Sequence, residues 1–203
     1  MTAPQLERRA WRARARELRA ALTPGARSRA ARRIAALLAR SKLLDGRRRI
    51  ALYMSVGTEP DTGPLRSLVR RRGLQLCLPR IRNHPRRIMD FVAAGSARLR
   101  PNRHRIAEPA PGTRVPLRAL DLIVLPTLAF DRQGTRLGSG AGYYDRALAA
   151  LALLPTRRRP RLVGICYACN EVPMLAAAAH DVPLDYVVTE LELIDCRPGR
   201  SRA

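Results

Sequence analysis

Lysine, acidic and aromatic side chains are all scarce in this 203-residue chain. Lys42 is the sole lysine, Asp and Glu together number 16 against 39 basic residues, and Phe, Trp and Tyr make up 4%. So few aromatics leave no platform for stacking single-stranded bases, and no RNP-like or KH-like motif is present. No apolar run approaches the ~20 residues of a membrane-spanning helix. No signal-peptide core follows Met1, so the reading is a cytoplasmic protein with no membrane partner. His84, His104 and His180 lack ligand spacing, which argues against a zinc centre. Among Cys77, Cys166, Cys169 and Cys196, "CYAC" has redox spacing, but Cys166 ends an apolar strand-like run. Buried free thiols in a reducing compartment are the expectation.

What the chain has in excess is arginine, giving a formal net charge of +23. Such a charge invites anionic partners. Alanine is abundant too, however, the mark of a composition bias that weakens the inference. Arg8, Arg9, Arg12, Arg16 and Arg19 form a basic helical face, so an RNA-binding protein using the N-terminal helices is the alternative reading, although nucleic acid is not the favoured partner. At 46% hydrophobic residues the chain is globular. Its length suits one domain over 1–203, with the helices of 1–48 packed on it and a tail from about 196 to 203.

Periodicity divides the chain into alternating elements. Thr2 with Gln5 forms a capping box ahead of a helix with Leu6, Trp11, Leu18 and Leu22 on one face. Thr23-Pro24 is an N-cap and N1 pair opening a second helix through Ile34, Leu37 and Leu38. "RIALYMSV" (49–56) and "LDLIVLP" (120–126) are continuous apolar runs, as in strands buried on both faces. "PLRSLVRRRG" and "YYDRALAALALL" read as helices, "LQLCLPRI", "IMDFVAA", "RPRLVGICYA" and "LDYVVTE" as strands, and "VPMLAAAAH" as a further helix. Residues 95–118 read as irregular. The pattern predicts an α/β fold, a single domain with a mostly parallel sheet flanked by helices on both faces, in the three-layer Rossmann-like manner.

The stretch "DRQGTRLGSGAGYYDRAL" (131–148) sets Gly134, Gly138, Gly140 and Gly142 at a strand-to-helix junction. In a parallel sheet such a loop lies where ligands bind, and its bare N–H groups beside a helix N-terminus suit phosphate. Positive-φ turns account for one or two of these glycines. The spacing is neither a Walker loop nor G-x-G-x-x-G. Arg136 can pair with phosphate in bidentate fashion. Asp145 stands where a carboxylate meets Mg²⁺ on nucleotide phosphates, or where a first-turn acid complements the helix dipole.

The stretch "LPTLAFDRQGTRLGSGAGYYDRAL", with "EPDT" (59–62), "LPRI" (78–81), "IAEP" (106–109) and "HDVPLDYVVTE" (180–190) in order, resembles the 5-formyltetrahydrofolate cyclo-ligase family. The resemblance covers nearly the whole chain and implies ATP-dependent cyclisation of 5-formyltetrahydrofolate to 5,10-methenyltetrahydrofolate, with release of ADP and phosphate. It implies that Arg136 and Tyr144 act in catalysis. ATP would be held by Arg8, Arg9, Arg12, Arg136, Leu137, Gly138, Ser139, Gly140, Ala141, Gly142, Tyr143 and Tyr144. Folate, with or without a polyglutamate tail, would meet Met54, Glu59, Ser139, Gly140, Ala141, Gly142 and Tyr143. Mg²⁺ would be bound by Asp145 and Asp185, in a monomer. Two departures stand out. Arg8 occupies a place where the family commonly has lysine, replacing a compact ammonium by a planar fork, and Ser139 and Ala141 stand where other members carry a basic residue or glycine.

Overall fold

A computed structural model describes residues 2–83, 85–86, 88–95, 99–102, 106–109, 112–152, 154–155, 159–178 and 181–197. The three histidines and most of the expected C-terminal tail lie outside the described residues. Helix α1 (Ala3–Ala21) starts where the Thr2 N–H donates to Gln5 Oε1 at 3.0 Å. Ala15 is its buried contact, with Trp11 packed alongside, while Leu6 is 51% exposed. The expected apolar stripe is therefore narrower and shifted. Helix α2 (Pro24–Arg40) is capped by Thr23, whose Oγ1 accepts from the Ala26 N–H, and buries Ala30, Ile34 and Leu38. Helix α3 is Gly63–Arg71 and α4 is Tyr143–Ala152.

The strands are β1 (Arg49–Ala51), β2 (Gln75–Asn83), β3 (Ile88–Ala93), β4 (Leu99–Pro101), β5 (Ala107–Pro109), β6 (Arg114–Val115), β7 (Leu122–Pro126), β8 (Ala129–Phe130), β9 (Arg136–Leu137), β10 (Arg161–Ile165), β11 (Tyr186–Val188) and β12 (Leu193–Asp195). Eight of them form one sheet in the order β12-β11-β10-β7-β1-β2-β3-β6. From β11 to β2 every pairing is parallel, and antiparallel strands close the two sides. Successive side chains alternate between faces. Ile50, Leu52, Leu122 and Val163 thus meet α2 and α3. Ala51, Ile123, Leu125 and Leu162 meet Leu148 and Leu151 of α4. The expected three-layer α/β fold is present, with β1, β7 and β10 at its centre.

The expected helix over 172–180 is not formed. Residues 172–178 carry no helix, and 179–180 lie outside the described residues. The backbone donors are claimed elsewhere: Val172 N–H by Phe130 O, Leu175 N–H by Asp131 Oδ2 and Ala178 N–H by Asp181 Oδ2. Apolar composition cannot form a helix whose amide hydrogens already serve tertiary acceptors. Within the region expected to be irregular, β4 and β5 pair with each other and β6 joins the sheet. Cys77 and Cys166 are buried, Cys196 is half-buried and Cys169 is exposed, with no disulfide among them.

Gly134 has φ +89°, and a Cβ there would lie 2.6 Å from Leu184 O. Gly134→Ala should cost about 2 kcal/mol or more, through backbone strain plus overlap. Urea unfolding monitored by circular dichroism would check it, and an unchanged midpoint would contradict the placement.

Candidate active site

In a parallel sheet the carboxyl ends of the strands leave a crevice. Here that crevice is a cavity of about 890 Å³. Tyr53 and Met54, just past β1, and Pro126 and Thr127, ending β7, form its floor, and the stretch from Gly138 to Asp145 forms one wall. An apolar end is made by Pro79, Ile81, Met89 and Ile106. Arg16 and Arg19 of α1 close the rim.

Arg136 is the buried cation of this cavity at 5% exposure. Its Nη2 donates to Asp145 Oδ1, while its buried Nε has no partner among the described residues. A buried donor without an acceptor costs about 1–3 kcal/mol, which an anionic ligand in the cavity would recover. Gly140 and Gly142 have φ of +98° and +74°, so with Gly134 the left-handed backbone accounts for three of the four glycines. Turn geometry thus explains more of the glycine pattern than expected. Gly138 has a different reason, since a Cβ there would stand 3.3 Å from Arg136 Nη1.

Helix α1 fixes the orientation of the loop. Arg12 Nε donates to Gly138 O at 3.1 Å and Arg16 Nη2 to Ser139 O at 3.0 Å. Because C=O and N–H of one peptide point in opposite directions, the N–H groups of Ser139 and Gly140 are turned away from α1. Neither has a protein acceptor among the described residues. Burial, then the neighbouring charges of Arg8 and Arg16, lower the Arg12 pKa from its ordinary value.

Glu59 lies in the turn after β1, where its Oε2 accepts from the Val56 N–H at 3.0 Å. Burial raises its pKa, opposed by that hydrogen bond and by Arg19. Tyr144 lies between the two cores and its hydroxyl is pushed well up, by burial first and by Glu59 second. Glu108 of β5 also faces the cavity, accepting from the Ile81 N–H and Asn102 Nδ2.

The structure therefore brings together Met54, Glu59, Arg136, Gly138, Ser139, Gly140, Ala141, Gly142, Tyr143, Tyr144 and Asp145. Leu137 is buried on the far side of its strand, packed with Ala15 and Leu128. Arg8 is not at the cavity: its Nη1 donates to Ala176 O and to Asp181 Oδ2, both at 2.7 Å. Arg9 is exposed and forms no part of the cavity wall. Asp185 is a correction. It precedes β11, at the opposite end of the sheet, 2% exposed, accepting from the Leu162 N–H, Arg159 and Arg161. It cannot share an ion with Asp145. No group of three or more His, Cys, Asp or Glu suited to a metal exists among the described residues. Arg16 and Arg19 were missed as site residues. Their spacing from Arg12, four and seven residues on, was the available signal for a shared helical face. Four of the five arginines on the basic face are engaged within the protein, Arg8, Arg12 and Arg16 as described and Arg19 with Thr58 Oγ1, which leaves Arg9 as the one without such a bond among the described residues.

A family model described as the 5-formyltetrahydrofolate cyclo-ligase family matches residues 4–190. The chain is similar to the 5-formyltetrahydrofolate cyclo-ligase of Escherichia coli, 34% identical over 145 residues, covering 69% of this chain and 76% of that one. It is also similar to the protein of that name from Saccharomyces cerevisiae, 29% identical over 159 residues, covering 70% and 75%. The solution structure of Aquifex aeolicus 5,10-methenyltetrahydrofolate synthetase superposes with a TM-score of 0.81 at 29% identity, covering 97% of this chain and 96% of that one.

Two stability measurements probe the site. A carboxyl whose pKa is raised on folding stabilises the protein below its unfolded value, and that contribution is lost as pH rises through the folded value. Glu59→Gln should therefore gain in Tm relative to the parent between pH 4 and pH 7; a constant difference would contradict a desolvated carboxyl. Asp185→Ala should cost about 3–5 kcal/mol in urea unfolding, because it strands buried Arg159. A variant as stable as the parent would contradict the structural role given to Asp185.

Proposed function

The chain belongs to the 5-formyltetrahydrofolate cyclo-ligase family and is a cyclo-ligase of that kind, and we propose from this premise how its cavity performs the reaction. 5-Formyltetrahydrofolate enters with its pterin in the apolar end among Met54, Pro79, Ile81, Met89 and Ile106, and its formyl group toward Arg136. ATP enters with its triphosphate along the loop from Gly138 to Gly142. A formamide oxygen is a poor leaving group, so the reaction needs that oxygen converted into one. The formyl oxygen attacks the γ-phosphorus and ADP departs, leaving an iminium phosphate. The folate's 10-nitrogen then attacks the formyl carbon and loses its proton. The C–O bond breaks with its electron pair going to phosphate, and the methenyl bridge remains.

Phosphoryl transfer asks the protein for position and charge rather than covalent participation. Arg136 supplies a fixed cation whose Nε is free to receive an oxyanion. The Ser139 and Gly140 N–H groups, aimed by Arg12 and Arg16, supply neutral donors that need no reorganisation. Asp145 keeps Arg136 in place. Glu59, held by the Val56 N–H, accepts from pterin N–H groups. Tyr144, with its hydroxyl kept neutral by burial, fills the wall between the two substrates.

A Mg²⁺ ion fits one donor here. Asp145 faces the cavity at 30% side-chain exposure, and a Mg²⁺ shared between one carboxylate and phosphate oxygens is an ordinary arrangement. When bound, the ion would neutralise the triphosphate charge.

The finer points rest on the same geometry. The free thiols support a reducing, cytoplasmic setting. Arg16 and Arg19 on the rim give a polyglutamate tail a cationic path out of the cavity. The observation that carries the reading is the joining, in one cavity, of a glycine loop with free N–H groups, a buried arginine with an unpaired Nε, an apolar end and the Glu59 carboxyl.

Purified protein mixed with 5-formyltetrahydrofolate, Mg²⁺ and ATP should give ATP-dependent growth of the methenyl ultraviolet band. Arg136→Gln should lower kcat by about 10²-fold or more, the scale of a lost charge-stabilising donor. Full activity of that variant would remove Arg136 from the mechanism, and a folded parent without activity would overturn the reading.

A further inference from the structure

At the opposite end of the sheet from the catalytic cavity, a second hollow of about 340 Å³ opens beside the N-terminal ends of β10 and β11. Its charged lining is Lys42, Arg47, Arg161 and Arg197, with Asp195 as the one acid. Asp195 is already engaged, for Arg197 grips it through Nε and Nη2 and through its own backbone N–H. Arg161 donates to Asp185, which also holds Arg159. Arg197 lies 4.7 Å over the Tyr186 ring, so its guanidinium is fixed in orientation. Lys42 and Arg47 have no acidic partner among the described residues, and Arg47 Nε is buried with no acceptor.

Arginine is common in this chain, so a basic surface alone would mean little. This hollow differs in two ways. Its cations come from four separate segments: the turn after α2, the lead into β1, the start of β10 and the second residue after β12. They converge where like-charge repulsion opposes the arrangement. A buried donor there is also left without an acceptor, a cost that a bound anion removes.

We propose that this hollow is a second anion site, distinct from the catalytic cavity, which binds a phosphate group on a compact molecule or free inorganic phosphate. Cations converging from several directions suit tetrahedral oxygens, whereas a planar carboxylate suits a single fork. At about 340 Å³ the hollow admits a small phosphate monoester. Because it lies at the amino-terminal ends of β10 and β11, and the catalytic cavity at the carboxyl ends of the sheet, its ligand does not enter the reaction.

Lys42 gives a direct readout, since it is the only lysine of the chain. Full-length protein is treated with a limiting amine acylating reagent, and peptide mapping by mass spectrometry separates Lys42 from the terminal amine. Inorganic phosphate and glycerol phosphate are titrated at constant ionic strength against chloride. Either probe should slow Lys42 acylation at least about fivefold with a saturating curve, and the more potent of the two identifies the source of the phosphate. The protection should persist in Arg136→Gln and weaken about tenfold or more in Arg47→Gln. Protection matched by chloride, equal in Arg47→Gln, or lost in Arg136→Gln would overturn the proposal.

Discussion

A buried guanidinium at the carboxyl end of a parallel sheet is the constraint around which this protein is arranged. Arg136 is 5% exposed and, among the described residues, is held by a single carboxylate, Asp145, while its Nε has no acceptor. A cation in that state is costly unless its surroundings fix it. The rest of the site reads as the means of fixing it. Strand β9 carries it, the first turn of α4 carries its partner, and Gly138 lacks a side chain where one would crowd its Nη1.

The glycine loop is organised from outside by α1. Arg12 and Arg16 bind the loop's carbonyls, which turns the following N–H groups away from the helix. Charge complementarity thereby does indirect work, because positive side chains orient neutral donors for a negative ligand. The desolvation that lowers the Arg12 pKa belongs to the same packing. Arg8 has a separate purpose, tying α1 to Ala176 O and to Asp181. One helix thus joins the glycine loop to Ala176 and Asp181, which precede β11.

Much of this was legible in the sequence wherever a local pattern decided the outcome. The apolar runs 49–56 and 120–126 supplied the central strands β1, which stops earlier at Ala51, and β7, because continuous apolar side chains can be buried only between two helical layers. Thr23-Pro24 started α2 because an N-cap acceptor and a fixed φ act locally. The glycine motif led to Arg136 and Asp145, which do meet in the cavity. Patterns failed where distant groups decided. The 172–178 segment has helical composition, yet Phe130, Asp131 and Asp181 take its amide hydrogens. Asp185 sits in a recognisable motif, but whether a carboxylate meets a ligand or a neighbouring arginine depends on which end of the sheet it occupies. The Arg159 and Arg161 partners lie more than twenty residues away. Arg16 and Arg19 were visible as a helical face, while what that face packs against was not.

The central claim is that the formyl oxygen is removed as phosphate, in a cavity that positions both substrates and supplies charge. The most direct measurement follows that oxygen. 5-Formyltetrahydrofolate carrying a heavy-oxygen label in its formyl group is turned over with unlabelled ATP, and the inorganic phosphate released is analysed by mass spectrometry. The account predicts that the label appears in phosphate, one atom for each methenyl product formed. Label found in water, with unlabelled phosphate, would mean that the oxygen leaves without being phosphorylated and would contradict the account.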